Sequence, residues 1–167
     1  MTIRLNTLQK YAKEVYERPN IQNFLEANTK KFPYSKVKDW YPILYESGTC
    51  GVETAGQIWL NQKGEDEPIL ELSSWIMVDR NQAKRVVRHE IAHILQFVCE
   101  LNTENWHGSG FGEALKIVSP TLLKYSERSD RGWHTNPRIE EERGKYHRLK
   151  KTEKSDKLSA KRGETTE

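Results

Sequence analysis

The amino-acid sequence predicts an α+β domain, and three observations carry that prediction. Apolar residues recur at helical spacing in the first third of the chain and again from about residue 80. Between them lie short segments rich in β-branched and aromatic residues, divided by polar turn material. Prolines and a capping residue bound the helical stretches, so the order is helices, sheet, then helices. With 167 residues and 19.6 kDa, there is room for one domain and a tail.

Taken in order, Leu5, Leu8, Ala12, Val15 and Tyr16 mark a first helix that stops at Pro19. Ile21, Phe24 and Leu25 begin a second, which ends before Pro33. Residues 36–45, 54–61 and 68–78 read as strands, separated by polar stretches at 46–53 and 62–67. Gln62-Lys63-Gly64-Glu65 is turn material, and the expectation is a small antiparallel sheet of three or four strands. Asp79 has the chemistry of an N-cap, with Gln82 completing a capping-box pattern. The helix it opens is expected to reach Cys99 or Leu101 and to bury Val87, Ile91, Ile94, Leu95 and Val98. A further helix starts near Ser109 and carries Phe111, Leu115, Ile117 and Val118 up to Pro120.

From Pro137 onward the sizeable apolar residues are isolated: Ile139, Tyr146, Leu149 and Leu158. Such a segment buries too little surface to offset the entropy of ordering it. The expectation is a domain over residues 1–137 and a polar, disordered tail over 138–167, with at most a short solvated helix at 138–150.

The net charge of +3 is unevenly placed. Residues 138–167 hold ten basic and seven acidic side chains, and the first 137 residues balance to zero. Within those, residues 1–40 carry +4, residues 41–79 carry −6 and residues 80–137 carry +2. That partition excludes a uniformly basic nucleic-acid coat. The longest apolar run, Trp75 to Val78, is four residues, so no membrane partner is expected. The N-terminus lacks the continuous apolar stretch of a secretory signal. Two cysteines, Cys50 and Cys99, cannot build a disulfide framework or a four-cysteine zinc ribbon. An intracellular protein is expected, in the cytoplasm, on the nucleoid or in a nucleus.

The chemistry sits in His89-Glu90-Ile91-Ala92-His93, an HExxH on the helix after Asp79. Histidines four residues apart project within about 40° of each other and about 6 Å apart along a helix. Both imidazoles therefore reach one Zn²⁺ from one face, with Glu90 beside them as the base rather than a ligand. Zinc lowers the pKa of a water from about 15.7 toward about 7 and polarises a carbonyl. Catalytic sites use three protein ligands and keep a position open. The third candidates are His107, Glu113, Glu100, Glu104 and His134. His107, in Trp106-His107-Gly108-Ser109-Gly110-Phe111, is favoured because thirteen residues separate it from His93, enough for the chain to turn and return. Arg88, Tyr125, Arg131 and His134 are possible donors to an oxyanion.

HEIAH followed by WHGSGF and a helix resembles the SprT-like (Spartan-type) zinc metalloproteases, over roughly residues 20–120. Ala55-Gly56 with Ile58-Trp59-Leu60-Asn61 resembles the sheet strand that precedes the active-site helix in that family. The resemblance implies a minimal zincin-like metalloprotease domain with one Zn²⁺ on His89, His93 and His107 and Glu90 as catalytic base. It further implies proteolysis of DNA-bound or DNA-crosslinked proteins, with DNA as activator. One departure stands out: many members carry a cysteine-rich zinc module after the core, and this chain has no cysteine beyond Cys99.

A substitute for that module would be sought at residues 30–40, where Lys30, Lys31, Lys36 and Lys38 interleave with Phe32, Tyr34 and Trp40. Cations on phosphates and rings on bases make a single-stranded DNA surface, for which Lys30, Lys31, Lys36, Lys38 and Trp40 are the candidates. The plainer alternative is that the rings pack into the domain and the lysines solvate its rim.

Overall fold

The computed structural model describes residues 2–47, 54–121 and 137–145, together with residues 148 and 152. The chain enters through α1 (Leu5–Tyr16), which buries Leu8, Ala12, Val15 and Tyr16 along one stripe. Pro19 does more than end this helix. It occupies the first turn of α2 (Pro19–Asn28), where its missing N–H costs nothing and its fixed φ favours the helix. A single turn, α3 (Tyr34–Val37), follows Pro33.

The strand expected over 36–45 is therefore split. Val37 and Trp40, three residues apart, share one side of a helical turn but would fall on opposite faces of a strand, and both are buried. The Tyr16 hydroxyl donates to the Val37 carbonyl at 2.7 Å, holding the turn against α1. Extended structure begins only at β1 (Ile43–Ser47). β2 (Gly56–Trp59) and β3 (Ile69–Ser73) complete the sheet. The expected strand over 68–78 gives way after Ser73 to a 3₁₀ turn, Ser74–Val78, that buries Trp75, Ile76 and Met77.

The sheet is mixed, not antiparallel. Its order is β1-β3-β2, with β1 parallel to β3 and β2 antiparallel to it. Neighbouring strands in sequence do not all pair, because β1 is held between β3 and α1. Gln9 of α1 takes the place of a further strand, accepting from Leu44 N at 2.8 Å and donating to the Pro42 carbonyl at 2.9 Å. One outer edge of the sheet is thus covered by a side chain, while β2 forms the other edge.

Asp79 caps α4 (Arg80–Val98) as expected, accepting from Asn81 N and Gln82 N at 2.8 and 3.0 Å. The Gln82 side chain accepts from Arg85. α4 runs through the middle of the molecule and touches α1, β2 and α5 (Ser109–Val118). Gly56 permits the closest approach of β2, since a Cβ there would lie 2.5 Å from Val86 Cγ1.

Residues 137–145 are helical (α6), and Ile139 is fully buried in the core cluster. Ile139 thus ties this otherwise polar segment to the core of the domain. Residues 146–167, apart from 148 and 152, lie outside the described residues, so the expected disorder there does too. No helix among the described residues is long and apolar enough to cross a membrane.

Candidate metal centre

α4 supplies two histidines one turn apart, His89 and His93, with ring centroids 5.0 Å apart. The chain leaves α4 through a tight reversal. Glu100 N and Leu101 N donate back to the Phe97 and Gln96 carbonyls, with Glu100 left-handed at φ 52°. The next segment, between the two helices, carries His107 back over α4. Asn105 braces it, its Oδ1 accepting from His107 N at 3.1 Å and its carbonyl from Gly108 N at 3.0 Å. Gly110 lets α5 start against this segment, because a Cβ there would sit 1.7 Å from the Leu101 carbonyl oxygen.

His107 Nε2 lies 3.2 Å from both His89 Nε2 and His93 Nε2. The three ligand atoms all fall within 4.8 Å of one another, close enough to hold one metal ion. A tetrahedral zinc bound at about 2.0–2.1 Å spaces its nitrogens about 3.3 Å apart, so the residues fit that group. Phe111 of α5, itself buried, forms the floor, with its ring 4.7, 4.4 and 5.2 Å from those of His89, His93 and His107. Trp106 stands edge-on to His93 at 5.6 Å.

The electrostatics suit a cation. Burial, aided by the neighbouring imidazoles, pushes the His89 pKa down to about 3. Burial lowers His93 to about 4, although its hydrogen bond to Gln96 opposes the shift. Both rings are thus neutral at pH 7, the form that ligates metal. Glu90, only 6 % exposed, is pushed up to about 8 by burial.

Of the other third-ligand candidates, Glu100, Glu104 and Glu113 are exposed and fall outside the cluster, and His134 lies outside the described residues. Of the oxyanion-donor candidates, Arg88 donates to the Tyr11 hydroxyl of α1. Tyr125 and Arg131 lie outside the described residues.

The DNA-surface candidates divide. Trp40 is 5 % exposed and packs on Phe32 with ring centroids 5.2 Å apart, so it cannot stack a base. Apolar burial outweighed composition: Trp40 belongs to the core, and Phe32 packs against it and against Phe97 with ring centroids 6.2 Å from the latter. Lys31 lies over the Phe97 ring at 4.6 Å and Lys36 over Phe32 at 5.4 Å, while Lys30 and Lys38 are exposed. Exposed aromatic side chains occur elsewhere, at Tyr45, Trp59 and Trp106. A cavity of about 210 Å³ is lined by Lys31, Gln62, Phe97, Glu100, Thr103 and Trp106, the last of which also contacts the His93 ring.

Sequence reasoning did not single out Gln96 or Asn105 as parts of the site, whereas Phe111 stood in the WHGSGF element. Glutamine and asparagine are not zinc ligands; their positions three residues after His93 and two before His107 are the signal that marks them.

Fold and site together define an α+β protein whose three histidines can hold a single metal ion. The chain belongs to the SprT-like family, whose model matches residues 43–131, from β1 through α4 and α5. No match was found among curated proteins or among solved structures.

Proposed function

We propose that this protein is a zinc-dependent endopeptidase of HExxH type, with DNA-bound or DNA-crosslinked proteins as its targets. The observation that carries the reading is the convergence of three imidazole nitrogens, with a buried glutamate next in the chain to His89. Zinc on His89, His93 and His107 would supply a polarised carbonyl and a more acidic water.

The chain's own residues do the rest. Glu90 takes a proton from the attacking water and returns it to the departing amine. Its pKa, about 8 from burial alone, would be drawn back toward neutrality by a nearby cation, which suits a base working near pH 7. Phe111 and the turn of α4 keep bulk water from behind the imidazoles. β2, an edge strand packed on α4, offers its backbone to an extended substrate by strand addition. The cavity beside Trp106 would receive a substrate side chain, with Lys31 and Glu100 favouring a polar one.

DNA would be met through phosphates at Lys30, Lys31, Lys36 and Lys38, without stacking by Trp40. The burial of Trp40 also favours a second reading, a peptidase whose target is not a nucleoprotein. Both are tested by cleavage of a DNA-binding protein with and without single-stranded DNA, at low and high salt. DNA-stimulated, salt-sensitive cleavage supports the first reading, and cleavage indifferent to DNA the second. Metal binding without cleavage of any protein would refute both. Glu90→Gln should keep the metal and lose cleavage; an active variant would remove Glu90 from the mechanism.

A further inference from the structure

We propose that Gln96 is the positioning residue of the metal centre, setting the ring of His93 with one end of its carboxamide and anchoring the His107 segment with the other. This rests on the reading of the three histidines as metal ligands. Gln96 is fully buried, three residues beyond His93 on the same side of α4. Its Nε2 donates to the carbonyls of Asn102 and Asn105 at 3.1 and 3.2 Å. Its Oε1 lies 3.2 Å from His93 Nδ1.

The donor inventory settles the direction of each bond. Backbone carbonyls only accept, so the end of Gln96 that faces two of them must be the NH₂. The other end is then an oxygen that only accepts, and His93 Nδ1 must carry the hydrogen. A neutral imidazole with hydrogen on Nδ1 has its lone pair on Nε2, the atom that faces His107 at 3.2 Å. The second end acts at a distance. Asn105, held by Gln96, is also the residue whose side chain accepts from His107 N. One buried amide thus links a ligand on α4 to the segment that delivers the third ligand. Gln96 is fully buried, so losing it takes the acceptor from the His93 ring N–H and a shared donor from the Asn102 and Asn105 carbonyls.

The test uses the full chain as wild type, Gln96→Leu and Gln96→Glu. Zinc affinity is measured against a competing chelator. The metal-free proteins give imidazole ¹⁵N spectra and amide exchange for residues 101–108. Gln96→Leu is expected to bind zinc roughly 10–100-fold more weakly, the usual effect of removing an outer hydrogen-bond partner. Its His93 should lose the pure Nδ1–H form, and residues 101–108 should exchange faster. Gln96→Glu keeps an acceptor for Nδ1–H and loses the amide donors, so it should retain the His93 form while the segment still exchanges faster. That split also separates positioning from a general loss of folding. If wild type binds zinc and both variants match it in affinity, ring form and exchange, the role of Gln96 is refuted while the three-histidine site stands. A wild type that binds no zinc refutes the site itself, and the proposal with it.

Discussion

Glu90→Gln in the metal-free protein should change stability by an amount that depends steeply on pH. Burial raises the Glu90 pKa from 4.5 to about 8. Below pH 4.5 the carboxyl is neutral in both folded and unfolded chains, and its ionisation costs the fold nothing. Between pH 4.5 and 8 the unfolded chain ionises while the folded one stays protonated, so stability falls as pH rises. The loss is about 1 kcal/mol at pH 5, about 3 at pH 7 and on the order of 5 above pH 8. Glutamine is neutral and nearly isosteric, so the variant should escape that loss. His89 and His93 work on the acid side: their lowered pKa values give stability present above pH 6.5 that drains as pH falls toward 4 and 3. Both proteins share those histidines, so that contribution cancels in the difference. Urea denaturation of chelator-treated wild type and variant at pH 5, 7 and 8.5 measures it. The variant's advantage should grow by about 4 kcal/mol across that range. An advantage that is flat with pH would show that Glu90 is not held neutral by burial. Saturating zinc should reduce the slope, because a cation at the imidazoles favours the ionised carboxylate.

Other substitutions probe the same framework. His89→Ala and His107→Ala should each abolish stoichiometric zinc, measured by metal analysis after dialysis; full retention in both would refute the three-histidine site. Gly110→Ala forces a methyl group onto the Leu101 carbonyl and should cost about 3 kcal/mol or more, with weaker zinc binding because the same segment carries His107. An unchanged melting temperature would contradict that close approach. Glu100→Gly relieves a left-handed residue at the end of α4 and should raise unfolding free energy by about 1 kcal/mol in urea titration. A less stable variant would mean that the Glu100 side chain contributes more than its backbone conformation costs.

Local chemistry made much of this protein legible. Asp79 caps because its short carboxylate reaches two N–H groups at its own helix start, a contact spanning three residues. His89 and His93 meet because four residues of helix bring them to one face. The return of His107 depends on a reversal at Glu100 and a close approach at Gly110 that composition does not announce. The interleaved lysines and rings at residues 30–40 misled on Trp40. Composition cannot distinguish a ring offered to a base from one pressed against Phe32, and only the surrounding core decides.

The sequence by itself determined the α+β order, the capped central helix and the two histidines with the glutamate between them. These follow from periodicity and spacing within a single element, where neighbours in sequence are neighbours in space. Only the tertiary structure decided the parallel pairing of β1 with β3, the seating of Ile139 and the hydrogen bonds of Gln96. Each depends on partners far apart in the chain or on a hydrogen-bond direction set by carbonyls from another segment. Apolar burial and the need to satisfy buried polar groups act on the whole fold at once, so they select such contacts only when every element is in place.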